Sequence, residues 1–376
     1  MTKIEWTDET WNPIVGCSKV SEGCENCYAE RMACRLASMA CSAKKKLLTP
    51  LKESEWAYVK AVRMMHDPKQ ERTYFEGWSG KTILVNSALE KPLHWKKPRR
   101  IFVCSMGDLF HESVPFEWIA KTIFSVGICF WHTVQILTKR VDRMGQFFGK
   151  WHNEQNRGFF FNPDFGPYVK YGATCNHRGE LSERDFINLR NMQLHYDPDW
   201  KGENATTLGE AGYFLPWPLP NLHLGVTCEN QKRADERIPK LLQIPAAVRF
   251  VSLEPLLGEI DLTHIRWAKI ESKELTRLGC EECWSLNNAL TSRPADELNL
   301  PKIGLDWVII GCESLPGGRA GRFQEGFNKA AINIVEQCKA AGVPVFVKQV
   351  PINGRVVKDT TKFPKQLQVR EYPKND

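Results

Sequence analysis

Short apolar runs alternate along the chain with polar clusters and with stretches whose apolar residues fall at helical spacing. Eight of the runs read as strands: residues 13–16 (PIVG), 82–86 (TILVN), 100–105 (RIFVCS), 132–138 (HTVQILT), 222–227 (LHLGVT), 249–253 (RFVSL), 307–311 (WVIIG) and 343–348 (VPVFVK). Most are rich in β-branched and aromatic residues, the types that fit a pleated, buried surface. Helical spacing predicts helices over the run opened by Cys27, and over residues 56–65, 88–98, 116–129, 140–151, 230–242 and 322–341.

Strands that are apolar throughout and alternate with helices imply a parallel sheet covered on both faces. The pattern therefore predicts an α/β fold, a TIM-type (β/α) barrel that is complete if all eight runs join it and partial if six form its core. One domain is expected over residues 1–351, with insertions at about 153–220 and 269–302 that lack a clear period, and with a Lys-rich tail over residues 352–376.

In parallel α/β folds ligands bind at the carboxyl ends of the strands, and polar residues recur there. Cys17, Cys24 and Cys27 follow the first run, Ser105 and Asp108 the third, and Thr138, Lys139 and Arg140 the fourth. Glu229, Glu254, Glu313 and the Lys348-Gln349 pair follow the others. Singly, each has a structural reading: Asp108 as a helix cap, Glu254 in a rim ion pair, Ser314 in a turn with Pro316-Gly317-Gly318. Together they imply a site for a large polar ligand.

Composition narrows the class. With 376 residues, 42% hydrophobic and 25% charged, the chain has the make-up of an ordinary globular protein. A net charge of +7, with basic runs at 44–46 and 96–100, is compatible with a phosphate-bearing partner but falls short of a nucleic-acid-binding stripe. The polar start lacks an apolar signal core, and no run is long enough to span a bilayer, so a cytoplasmic, reducing setting without membrane contact is expected. The 13 cysteines are then read as free or metal-bound thiols.

Cys17, Cys24 and Cys27 form a C-x6-C-x2-C array ahead of a helix, whose N-terminal peptide dipoles favour a thiolate. A structural zinc would need a fourth ligand. An iron–sulfur cluster held by three thiolates leaves one iron open to a ligand.

The stretch TWNPIVGCSKVSEGCENCYAER, with SMGDLFHE, ILTKR, SLEPLLG, GCES-x-PGGRAGRF and VPVFVKQV, resembles a phage- and prophage-associated family of uncharacterised proteins that is itself similar to radical S-adenosylmethionine enzymes. The resemblance runs from about Thr10 to Gln349 and is weakest in the insertions. It implies a [4Fe–4S] cluster on Cys17, Cys24 and Cys27 that binds S-adenosylmethionine and, reduced by a donor such as flavodoxin or ferredoxin, cleaves it to a 5′-deoxyadenosyl radical. The first cysteine spacing is longer than the commonest pattern, with Asn26 rather than an aromatic before Cys27, and the usual Gly-Gly-Glu segment is absent. Ser105 and Asp108 are the candidates to replace that segment, with Thr138, Lys139, Arg140 and Glu313 as further cofactor-binding residues. Glu229, Glu254 and Lys348 are the catalytic candidates near the substrate, read as a nucleoside, nucleotide or nucleic-acid base. Cys280 and Cys283, with Cys175 and His177, are candidates for a second metal site. Two other classes stay open: a zinc-stabilised nucleic-acid-binding or interaction protein without catalysis, and a metal-dependent hydrolase using Asp108, His111 and Glu112.

Overall fold

The computed structural model describes residues 4–47, 50–151, 158–161, 213–216, 218–269, 284–291 and 304–373. Its centre is an eight-stranded sheet of β1 (Glu9–Trp11), β2 (Arg100–Val103), β3 (Thr133–Thr138), β4 (Leu222–Thr227), β5 (Val248–Leu253), β6 (Trp307–Gly311), β7 (Val345–Ile352) and β8 (Arg355–Val357), in that order. The pairings from β1 through β7 are parallel, and β8 turns back antiparallel on β7. Strand order follows chain order without a reversal, so every crossover advances the same way. Among the described strands β1 pairs only with β2 and β8 only with β7, apart from a single bridge between Arg355 of β8 and Arg319, so the sheet has two edges.

Helices α1 (Tyr28–Leu47), α2 (Glu53–Ala61), α3 (Phe116–Ile128), α4 (Val141–Trp151), α5 (Gln231–Leu242) and α6 (Gln324–Ala341) accompany the strands. The main core holds one face of the sheet, with Ile101, Val103, Val134, Ile136, Leu224, Val226, Val308 and Ile310 packed with apolar residues of α3 to α6. α1 buries Ala33, Ala37 and Ala40, a small-residue stripe at helical spacing. It shares a satellite core with Ala57 and Ala61 of α2, Met106 and the partly buried Cys17.

The opposite face carries a separate cluster. Trp6, Phe250, Trp307, Ile309 and Phe346 are buried together, with Phe102, Leu137 and Tyr372 against them. Strands β2 and β6 stand four places apart, roughly 19 Å across a flat sheet at about 4.8 Å per strand. Yet the Trp6 ring lies 4.8 Å from Phe102 of β2, 6.3 Å from Phe250 of β5 and 6.1 Å from Trp307 of β6. The sheet is therefore curled, and these rings fill the hollow. Phe250, Trp307 and Phe346 sit at or before the middles of their strands, which leaves the carboxyl-terminal half of the concave face of β5 to β7 to other side chains.

Several expectations are corrected. Residues 13–16 and 82–86 do not enter the main sheet; Ile14–Val15 and Ile83–Leu84 pair with each other as a short antiparallel ribbon. Pro13 lacks an amide proton for a ladder, and Gly16 breaks out with φ of 111°. The place in the sheet belongs to Glu9–Trp11, an edge strand too short and polar to show a period. The helix expected over residues 56–65 ends at Ala61, and Val62–Asp67 pairs with Arg72–Trp78 as a hairpin. Met64 and Met65 are exposed there, so their apolarity had mimicked a helix period. The tail contributes β8 through the Asn353-Gly354 turn, with both residues at positive φ, and buries Phe363 and Leu367. The insertions lie mostly outside the described residues. No helix among those described is long and apolar enough to cross a membrane.

Trp6 reaches three strands at once, so Trp6→Ala is expected to lower unfolding free energy by about 3–5 kcal/mol, the cost of emptying a large aromatic site. Trp6→Phe should cost less. Urea denaturation measures both, and an alanine variant as stable as wild type would contradict the plug.

Candidate metal centre

The chain leaves Ile14–Val15 through Gly16, where a Cβ would come 2.1 Å from the Lys81 carbonyl oxygen. The loop that follows carries Cys17, Cys24 and Cys27, all half-buried, and includes a turn of 3-10 helix at Glu22–Cys24. Cys27 immediately precedes α1, and the Glu30 amide in the first turn points to the Cys27 sulfur at 3.5 Å. The third thiol thus stands at a helix N-terminus, as its sequence position implies.

Side chains from successive strand ends hold this loop. After β3, buried Arg140 donates from Nε to Glu112 Oε2 (2.9 Å), and from Nη1 to Asp108 Oδ2 (2.9 Å) and the Cys17 sulfur (3.6 Å). Its Nη2 donates to the Ser18 carbonyl and hydroxyl oxygens at 3.0 and 2.8 Å. Asp108 also accepts from the Thr138 hydroxyl (2.8 Å) and the Phe110 amide (2.9 Å), so both oxygens are occupied. Thr138 Oγ1 in turn accepts the Arg140 amide at 2.9 Å. His111 Nδ1 accepts the Ser113 amide, which leaves Nε2–H to donate to the Ser18 hydroxyl at 2.8 Å.

After β4, Glu229 has no solvent exposure. Its Oε1 meets Lys139 Nζ at 2.7 Å and accepts the Ser21 hydroxyl; its Oε2 meets Arg237 at 2.8 Å. Burial pushes the Glu229 carboxyl up, but the two cations and the hydroxyl outweigh it and hold its pKa below the ordinary value. Gly23 passes so close that a Cβ there would lie 2.4 Å from Glu229 Cγ. At the start of α5, Asn230 caps the Arg233 amide and donates to Glu22 at 2.5 Å, while Arg233 Nη2 reaches the same carboxylate at 2.9 Å.

After β6, Glu313 accepts from Arg322 Nη2 at 2.6 Å, Nε at 3.1 Å and the Arg322 amide at 2.8 Å, and from Asn26 at 3.0 Å. Arg322 continues to Glu25 (2.7 Å) and the Glu22 carbonyl (2.9 Å). Arg31 ties the Asn26 carbonyl to that of Ser314.

The thiols differ in charge preference. Burial, then Asp108, pushes Cys17 up to about 12 against the opposing pull of Arg140. Burial also raises Cys27, with Cys24 adding to it. Burial opposes ionisation of Cys24 as well, but Lys139 and hydrogen bonds from the Val20–Ser21 turn prevail and lower it. Cys17 and Cys24 thus both couple electrostatically to Cys27. Among the described residues, no three Cys, His, Asp or Glu side chains converge closely enough for a single metal ion. The donor set fits an anionic cluster: three thiols on one loop, with Arg140 and Lys139 to offset negative charge and a helix N-terminus at Cys27.

Of the other sequence candidates, Ser105 donates to Asn12 Oδ1 at 3.2 Å, where the Met106 amide also points. Lys348 Nζ meets Glu254 Oε1 at 2.6 Å and Gln349 approaches the same oxygen, so these residues pair with one another and not with the cysteine loop. Cys175, His177, Cys280 and Cys283 lie outside the described residues. Sequence reasoning missed Ser18, Ser21, Glu22, Arg233, Arg237 and Arg322. The helix-start position of Asn230 and the glycines Gly23 and Gly321 were the available signals, since a Cβ at Gly321 would lie 2.2 Å from Glu313 Oε2.

Glu22 and Glu313 are each held at about 2, below the ordinary 4.5: Glu22 chiefly by Arg233, and Glu313, despite the opposing effect of burial, by Arg322. A depressed carboxylate contributes stability that is full above pH 4.5 and lost as pH falls through about 2. Arg322→Met should let Glu313 return toward its ordinary value, so acid unfolding should begin at higher pH. Circular dichroism during acid titration measures it, and an unmoved acid limb would contradict the clamp.

No curated protein and no solved structure matches the chain. A family profile does, over residues 1–372, nearly the whole chain, and carries the description "Protein of unknown function (DUF5131)". The chain belongs to the DUF5131 family.

Proposed function

We propose that this protein is a radical S-adenosylmethionine-type iron–sulfur enzyme on a partial (β/α) barrel, with Cys17, Cys24 and Cys27 as ligands of a [4Fe–4S] cluster and a nucleoside, nucleotide or nucleic-acid base as substrate. The observation that carries the reading is the convergence on one three-cysteine loop of charged side chains following β3, β4 and β6. A loop of ordinary connection would not need Arg140, Glu229, Arg233 and Arg322 to fix it.

When bound, the cluster and S-adenosylmethionine supply one-electron cleavage to methionine and a 5′-deoxyadenosyl radical. The chain's own residues do the rest. Arg140 and Lys139 place positive charge beside the thiols, and Glu229 and Glu313 lock the loop in one position. Below, the aromatic cluster around Trp6 closes the hollow to water at the amino ends of the strands.

On the concave face above those rings, Thr227 and Ser252 are neighbours in register, and Glu254 follows Ser252 on the same side. Lys348 is the extra residue of a bulge in β7 and reaches the same side through its contact with Glu254. Among the described residues the Thr227 and Ser252 hydroxyls and Glu254 Oε2 have no hydrogen-bond partner. Glu254 and Lys348 are therefore the charged pair assigned to the substrate side, while Glu229 acts as a positioning residue. An electron donor such as flavodoxin or ferredoxin completes the system.

Anaerobic reconstitution with iron and sulfide should give the broad visible absorption of an iron–sulfur cluster, and reductant with S-adenosylmethionine should release 5′-deoxyadenosine. Cys17→Ala, Cys24→Ala and Cys27→Ala should each abolish the release. Stoichiometric zinc, no iron uptake and no 5′-deoxyadenosine would overturn the reading in favour of a zinc-stabilised protein without catalysis.

A further inference from the structure

We infer that Arg140 is a positioning residue that sets the reduction potential of the cluster through its hydrogen bond to the Cys17 sulfur. The inference rests on the iron–sulfur reading above and adds a role that the strand-end position of Arg140 does not reveal. A residue at that place is as well suited to meet the carboxylate or ribose of a bound cofactor.

The hydrogen bonding of Arg140 decides between the two roles. A guanidinium has five N–H donors. Here Nε serves Glu112, Nη1 serves Asp108 and Cys17, and Nη2 serves the Ser18 carbonyl and hydroxyl oxygens. All five are engaged within the protein, and Arg140 is only 6% exposed. None remains for a ligand. The side chain is also fixed from outside, because Thr138 and the Phe110 amide orient Asp108, and His111 orients Ser18.

A charged donor fixed beside a ligand sulfur acts on a cluster in a known direction. Reduction adds negative charge to the cluster, and a cation hydrogen-bonded to its sulfur stabilises the reduced form more than the oxidised one. Arg140 therefore raises the midpoint potential. Asp108, buried and 2.9 Å from the same Nη1, opposes it and lowers the potential. Glu112 also pairs with Arg140, but its side chain is 64% exposed, so solvent screens it and its influence is smaller. The two buried groups thus pull in opposite directions, which separates an electrostatic role from simple loss of packing.

The test is a reductive titration of anaerobically reconstituted full-length protein, followed by the electron paramagnetic resonance of the reduced cluster. Wild type, Arg140→Lys, Arg140→Gln, Asp108→Asn and Glu112→Gln are compared. The midpoint is expected to fall in Arg140→Gln, to rise in Asp108→Asn, to rise less in Glu112→Gln and to stay near wild type in Arg140→Lys. Should Arg140→Gln fail to fold, a raised midpoint in Asp108→Asn beside an unmoved one in Arg140→Lys carries the same information. Equal midpoints in all loaded variants, or a fall in Asp108→Asn, would overturn the inference and leave the cluster reading standing. A wild-type protein that takes up no cluster would overturn both.

Discussion

A carboxylate with no contact to water must be paired where it stands, and Glu229 is paired on both oxygens, by Lys139 and Ser21 on one and Arg237 on the other. The rest of the site depends on this arrangement. Buried ion pairs add little net stability, because desolvation consumes most of the attraction, but removing one partner typically costs about 3–5 kcal/mol. Such a network permits one geometry and penalises the alternatives. Here it fixes the chain from Ser21 to Gly23 against the end of β4, with the glycine allowing the approach.

The same device recurs after β3 and β6. Arg140 grips the loop at Cys17 and Ser18, and Arg322 with Glu313 grips it from Glu22 to Asn26. These contacts are possible because the sheet curls. The rings around Trp6 join strands that a flat sheet would hold far apart, so their carboxyl ends turn toward a common centre. An apolar cluster in the hollow thus positions a polar site above it. The cysteine loop, which has little regular structure of its own, receives its shape from strands distant in sequence.

Much of this was legible in the sequence. The buried parallel strands are continuous apolar runs, so β2 to β7 and their helices stand out, as does the helix start that places Cys27. The strand ends were legible as a polar set. What they touch was not. Glu229 and Arg140 look alike as polar residues after a strand, yet each is wholly engaged within the protein, while Glu254 keeps one carboxylate oxygen without a partner among the described residues. Partners such as Arg237 and Arg322 lie inside helical or loop patterns, where a basic residue usually marks a solvated face. β1 was hidden because a three-residue edge strand has no period, and Ile14–Val15 misled because a buried pair of apolar residues needs no place in the main sheet. The Asn353-Gly354 turn, by contrast, is a strong hairpin signal in a tail that otherwise looked unpatterned.

The clamped loop is proposed to present three thiolates to a cluster and to leave one iron for a ligand. Mössbauer spectroscopy of protein reconstituted with enriched iron, recorded with and without S-adenosylmethionine, addresses it directly. One iron site is expected to change its parameters when S-adenosylmethionine is added while the remaining irons are unaltered. Iron that shows a single environment, unmoved by S-adenosylmethionine, would contradict it.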